Sequence, residues 1–111
     1  MKGINKVTLV GNIGGELELY KGQGFESTKF SLAIDESYKD KSGQKIEKTE
    51  WINIVAFNKV SDIINRICQK GSTIYLEGKM STKKFDHNGI TKYKTEVIVN
   101  VVQLIKGGKN V

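Results

Sequence analysis

The sequence predicts a single all-β domain with one helix, on three observations. Val, Ile and Thr supply 29 of the 111 residues against six Leu and two Ala, a balance that favours pleated strands. Proline is absent while glycine occurs 12 times, so the chain must turn on glycines. Only one stretch carries a helical period; the other apolar residues recur in alternation. The expected domain spans 1–111, an ordered barrel over about 1–105 followed by a short basic end at 106–111.

The first strand is read at Ile4 to Gly11, stopped by Gly11, Gly14 and Gly15, with a second break at Gly22 and Gly24. From Phe25 to Asp35 the period is two: Phe30, Leu32 and Ile34 face the core, and Lys29, Ser31 and Ala33 face away. Tyr38 to Lys48 is polar and reads as a flexible hairpin tip. The third strand, Thr49 to Asn58, sends Ile52, Ile54 and Ala56 inward and leaves Trp51, Asn53, Val55 and Phe57 on the opposite face. A lone soluble domain gains little by exposing such rings, so something must cover Trp51 and Phe57.

Val60, Ile63, Ile64, Ile67 and Cys68 form an apolar stripe at helical spacing, and Gly71 ends the helix. A strand at Ser72 to Lys79 follows, then a lysine-bearing arm at Ser81 to Phe85, a turn at Asp86 to Gly89, and a last strand at Tyr93 to Val102. Three strands, a helix, then two strands is the order of a five-stranded Greek-key OB-fold barrel, with its helix between strands 3 and 4.

Uninterrupted apolar stretches reach only three or four residues, as at Val97 to Val99 and Ile54 to Phe57, far from the roughly 20 a spanning helix needs. The amino-terminal MKGINKVTLVG breaks its apolar residues with polar ones and does not read as a secretory segment. One cysteine permits no internal disulfide, which fits a reducing compartment. A net charge of +6, from 18 basic and 12 acidic residues, suggests an anionic partner but leaves nucleic acid, acidic lipid and simple solubility open.

Aromatics beside cations narrow that choice. Tyr38 adjoins Lys39, Trp51 follows Lys48, Phe57 precedes Lys59, and Phe85 directly follows Lys83 and Lys84. An unpaired nucleic-acid strand offers base faces to stack on rings and a phosphate chain for lysines to follow. Duplex DNA hides its base faces and is read by Arg, Asn and Gln at groove edges, yet this chain has one Arg, Arg66, on the helix. Core or turn packing accounts for Tyr20, Phe25, Phe30, Tyr75 and Tyr93, which are left out of the site.

Catalysis is not expected. Asp35, Glu36, Asp40, Glu47 and Glu50 surround a loop without a metal-ligand pattern, and one Cys with one His, Cys68 and His87, assembles neither a nucleophile pair nor a zinc set. GNIGG lacks the Gly-Lys-Ser/Thr of a phosphate loop. No cofactor or metal is expected. Two non-enzymatic rivals remain beside a DNA-binding module: a primosomal or RNA-binding OB protein, and a purely structural assembly protein.

INKVTLVGNIG (Ile4 to Gly14), FSLAIDESY (Phe30 to Tyr38), TEWINIVAFNK (Thr49 to Lys59), KGSTIYLEGKMSTKKF (Lys70 to Phe85) and YKTEVIVN (Tyr93 to Asn100) resemble the bacterial-type single-stranded DNA-binding protein family. The resemblance covers most of the chain in order. It implies OB-fold protomers in a homotetramer around which single-stranded DNA wraps without strong sequence preference, in replication, recombination and repair. It also implies a cytoplasmic, nucleoid-associated setting, or an organellar or phage-infected one, with no membrane partner. Carried over, the family's stacking aromatics fall on Tyr38, Trp51, Phe57 and Phe85, and its phosphate contacts on Lys6, Lys59, Lys70, Lys83 and Lys84.

Departures from the family pattern are specific. Tyr38 and Phe85 stand where Trp is frequent, and Asn53 and Ser81 where Arg is. Ile52 replaces a His common at a subunit contact, and the loop GGELELYKGQG lacks the usual prolines. The sequence ends at Val111 without an acidic tip, so recruitment of replication and repair enzymes through such a tip is not expected; a chain cut to its domain and a phage, plasmid, organellar or accessory short form both fit.

Overall fold

The structure, a computed structural model, describes residues 1–109. Its elements run β1 (Val7–Ile13), β2 (Glu18–Gly22), β3 (Phe25–Asp35), β4 (Tyr38–Lys39), β5 (Lys45–Ile46), β6 (Thr49–Phe57), α1 (Asn58–Ile67), β7 (Thr73–His87) and β8 (Ile90–Lys106). The main sheet has the order β1-β7-β8-β6-β3-β2, and β1 also pairs with β3. The pairings β1, β7, β8, β6 and β3 therefore return to β1, which is the five-stranded OB arrangement with α1 between its third and fourth strands. All ladders are antiparallel except β6 with β8.

The return to β1 is short, through Asn12 opposite Ala33 and Ile13 opposite Leu32. It depends on Gly11: a side chain there would run into the Ala33 carbonyl and the Leu32 side chain, so only glycine lets the two strands converge. Inside lie Ile13, Phe30, Leu32, Ile54, Ala56, Ile74, Leu76, Val97 and Val99, all buried, with Ile64 from the helix and Cys68 from the residue just after it. Alternation produces this set directly, since residues two apart on a strand share a face.

Four expectations are corrected. β1 begins at Val7 rather than Ile4 and continues to Ile13. GGELELYKGQG is not simply a break, because Glu18–Gly22 forms β2 and pairs with β3 from Glu18/Lys29 to Gly22/Phe25; its five residues are all exposed, so it has no buried period to betray it. Ser81 to Phe85 is not a loose arm: β7 and β8 stay paired as a ribbon out to His87 and Ile90, turned by Asn88 and Gly89 with φ of 52° and 76°. Ile63 is exposed while Ser61 is buried, so the helix face against the sheet is polar at that point.

The polar tip is its own small hairpin, β4 with β5, held by Asp40, whose Oδ1 accepts from the Ser42 amide and hydroxyl (2.9 and 2.6 Å) and the Gln44 amide (3.0 Å). The end of the chain is docked rather than free as far as Lys109: the Ser72 hydroxyl donates to the Gly107 carbonyl at 2.7 Å, and the Lys109 amide donates to the Ile67 carbonyl at 3.1 Å. Asn110 and Val111, the last of the expected basic end, lie outside the described residues.

Candidate functional site

β3 and β6 pair over nine residues, from Ser27/Phe57 to Asp35/Thr49, so side chains directly opposite share a face. On the outward face Trp51 lies opposite Ala33, Asn53 opposite Ser31, Val55 opposite Lys29 and Phe57 opposite Ser27. Trp51 and Phe57 are six residues apart on one strand, about 20 Å at the usual rise.

Trp51 is 60% exposed, and its position is set from behind. A side chain on Gly14 would collide with the Trp51 ring, so the bare glycine backbone supports that part of the indole and the rest stands open. Phe57 is half-buried and packs on Phe25, with ring centroids 5.7 Å apart and planes inclined by 36°. Phe85 is 44% exposed on the β7–β8 ribbon, and Tyr38 is 55% exposed on the separate β4–β5 hairpin.

The lysines divide by face. Lys83 lies opposite Lys94, and Phe85 opposite Lys92, on one side of the ribbon; Lys84, opposite Tyr93, lies on the other. Lys83 reaches the sheet and lines a groove with Lys29, Val55 and Phe57. Beneath it the carboxylate of Glu96 is almost fully buried, 3.4 Å from the Lys83 ammonium and 3.9 Å from that of Lys94, and its Oε1 receives no hydrogen bond. Two cations thus converge on one buried anion in the surface beside Trp51 and Asn53, where Lys29 and Lys94 alternate with Glu16 and Glu18.

Lys59, in the first turn of α1, lines a second groove with Lys21 and Phe25. Lys70 is exposed in the turn after the helix, and the amide of Gly71 next to it donates to the Ile13 carbonyl beside Gly14. Lys6 precedes β1 and sits 3.8 Å from Glu77 of β7, and its neighbour Val7 lines a cavity with Trp51, Asn53 and Met80. The structure therefore brings together Trp51, Phe57, Lys59 and Lys83 around β6, continues to Phe85 along the ribbon, pairs Lys6 with Glu77, and sets Lys84 on the other side of the ribbon.

Of the aromatics left out of the site, Phe30 is in the core, whereas Tyr20, Phe25 and Tyr93 are 61%, 42% and 67% exposed. Phe25 could have been found: in the Phe25 to Asp35 alternation it shares the parity of Lys29 and Ser31, the face turned away from the core. Tyr20 gave no such signal, because β2 shows no period.

Among the described residues no three His, Cys, Asp or Glu side chains gather where they could hold a metal ion. Burial pushes the Cys68 thiol up from its ordinary value, which keeps it protonated within the core.

A ring of strands closed through β1, one helix at its end, and an open face of aromatic rings and ammonium groups define an OB-fold binding module. The chain belongs to the single-strand binding protein family, whose model matches residues 4–105. Among solved structures it resembles a Plasmodium falciparum SSB in complex with ssDNA, with 28% identity over 96% of this chain and 98% of that one and a TM-score of 0.85. It also shares its fold with a deletion mutant of the single-stranded DNA binding protein from Thermus aquaticus, at 20% identity over 97% of this chain and 55% of that one, TM-score 0.79.

Proposed function

We propose that this chain binds single-stranded DNA irrespective of sequence and shields it during replication, recombination and repair. The observation that carries this reading is the outward face of β3 and β6: a half-open indole backed by Gly14, a second ring at the far end, and lysines on either side. Trp51, Phe57, Phe85 and Tyr38 take the bases, because every base has a π-face and none is selected by stacking alone. Lys59, Lys70 and Lys83 neutralise phosphates. Lys84 joins them where the strand wraps to the reverse of the ribbon, and Lys6 steers from the β1 side.

A homotetramer is part of the proposal. On the outward face of β1, β7 and β8, Val10 lies opposite Tyr75 and Val101 opposite Glu77; Val10 and Val101 are 50% and 47% exposed, an apolar surface that a second copy would cover. Ile52 is half-buried and packs partly on its own core. Light scattering with and without long oligothymidine measures the assembly and its stoichiometry together.

The test of binding is Trp51 fluorescence. Titration with oligothymidine is expected to quench it, and log affinity should fall with log salt at about −0.7 per phosphate neutralised. Unchanged fluorescence at saturation would overturn the reading. Preference for RNA of equal length in a competition titration would move the protein to the RNA-binding class.

A further inference from the structure

Phe57 does not end the aromatic face. Across three strands Phe57, Ser27 and Tyr20 lie in one row, because Ser27 is opposite Phe57 on β6 and opposite Tyr20 on β2. Phe25 is the next outward residue of β3 and lies opposite Gly22. The small side chain of Ser27 and the bare Gly22 leave room for rings to lean over them: a Cβ on Gly22 would stand 3.3 Å from Tyr20 Cε1 and 3.7 Å from Phe25 Cδ1. The outcome is a staircase of three rings. Phe57 to Phe25 measures 5.7 Å between centroids, and Phe25 to Tyr20 6.2 Å with planes at 58°.

The rings touch one another yet remain open, 42% for Phe25 and 61% for Tyr20. Grooves lie on both sides. One is lined by Lys29 and Lys83 with Glu18, and the other by Lys21 and Lys59 with Glu26 and Asp62. Two of those three carboxylates are engaged within the fold, Glu26 by the Ser61 hydroxyl at 3.0 Å and Asp62 by Arg66 at 3.1 Å. Four ammonium groups therefore flank a continuous ring surface, and among the described residues Glu18 is the one acidic group of these grooves without an ion-pair partner or a side-chain hydrogen bond.

We propose that Tyr20 and Phe25 form a second stacking platform for single-stranded DNA, which carries the bases past Phe57 and onto the β2–β3 hairpin while Lys21 and Lys59 hold the backbone. This inference rests on the single-strand reading above and extends the path by the bases that these two rings accept. Lys21 enters the site for the same reason.

The alternative role for the rings is local: an aromatic over a glycine on the neighbouring strand shields bare backbone and stabilises the hairpin. Phe25→Leu separates the two, since leucine keeps apolar bulk over Gly22 but has no π-face. The full chain is titrated with short and long oligothymidine, and wild type is also photocrosslinked to an oligonucleotide carrying 5-bromodeoxyuridine.

Adducts on Tyr20 or Phe25 are expected, together with about a fivefold weaker affinity of Phe25→Leu for the long strand, the low end for one lost stacking contact. The short strand, held at Trp51 and Phe57, should bind the variant as wild type does. Should Trp51 be quenched normally while no adduct forms on either ring and Phe25→Leu binds every length unchanged, the platform is refuted and the single-strand reading survives. Absence of Trp51 quenching in wild type would instead refute that reading. If Phe25→Leu does not fold, the wild-type adducts decide.

Discussion

The paired strands β3 and β6 have two faces with opposite fates. On the inward face Thr28, Phe30, Leu32, Ile54 and Ala56 are buried, and the helix completes their packing. On the outward face the same strands bury only smaller side chains, Ser27 and Val55, while Lys29, Trp51 and Asn53 are exposed. The first face is finished by the chain itself; the second keeps its largest groups open. The helix also shows how completion is achieved: Thr28 and Ser61 hydroxyls bond at 2.6 Å in the buried interface, Ser61 donates to Glu26, and Asn65 donates to Thr28. Among the described residues no comparable network covers Trp51.

The sharpest way to break this contrast is to shorten one residue on each face. Ile54→Ala, 1% exposed, should lower stability by about 2 to 5 kcal/mol, through lost burial and the cavity left behind, as urea unfolding would register. Trp51→Ala should leave the unfolding midpoint close to wild type and instead weaken oligothymidine binding by about 1 to 3 kcal/mol, for all sequences alike. A loss restricted to one sequence, or a destabilisation equal to that of Ile54→Ala, would place Trp51 with the inward residues.

Thr28→Val sharpens the inward side. It keeps shape but strips Ser61 and Asn65 of a buried partner, so a cost of about 1 to 3 kcal/mol is expected. Adding Ser61→Ala should recover part of it, because two absent partners leave less unsatisfied than one. Purely additive losses would mean the hydroxyl pair is not coupled.

These elements also show what the sequence could reveal. The β3 and β6 boundaries and their inward residues were legible because burial on one face imposes a period of two. Ser61 was not: its partners Thr28 and Glu26 are 33 and 35 residues away, and a serine beside Asp62 carries no sign of burial. Val55 has outward parity but is fully buried, paired between Lys29 on β3 and Ile98 on β8, a two-sided pairing that alternation within one strand cannot express. At the site, exposed rings followed from parity on β6, whereas the grouping of Phe57 with Phe25 and Tyr20 required the register of three strands.

The lysines test how far the outward surface extends. Lys83 and Lys84 are adjacent in sequence and on opposite sides of the ribbon. Each alanine substitution should reduce the salt slope by about 0.7 if the strand wraps both sides. Lys83→Ala should also cost some stability, because it removes a counter-charge from the buried Glu96 carboxylate. A slope unchanged by Lys84→Ala would confine the path to the Phe85 side.

The smallest effect belongs to the tip that carries Tyr38, which neither face supports. Hydrogen bonds from the Ser42 side chain and from the Gln44, Ser42 and Gly43 backbone hold the Asp40 carboxyl below its ordinary value of 3.8. A lowered folded value means that unfolding raises proton affinity, so the bonds favour the hairpin above pH 3.8 and that contribution disappears as pH falls through the lower, folded value. The β4–β5 pairing should thus stay intact through mildly acidic pH and loosen only in stronger acid, ahead of any change at Ile54, which has no titrating neighbour within its ladder pairs Phe30 and Val97. Amide shifts of Ser42 and Gln44 followed by NMR should give an Asp40 midpoint under 3.8; a midpoint at or above it would show that the carboxylate does not organise the tip, and Tyr38 would then lack a fixed base of its own.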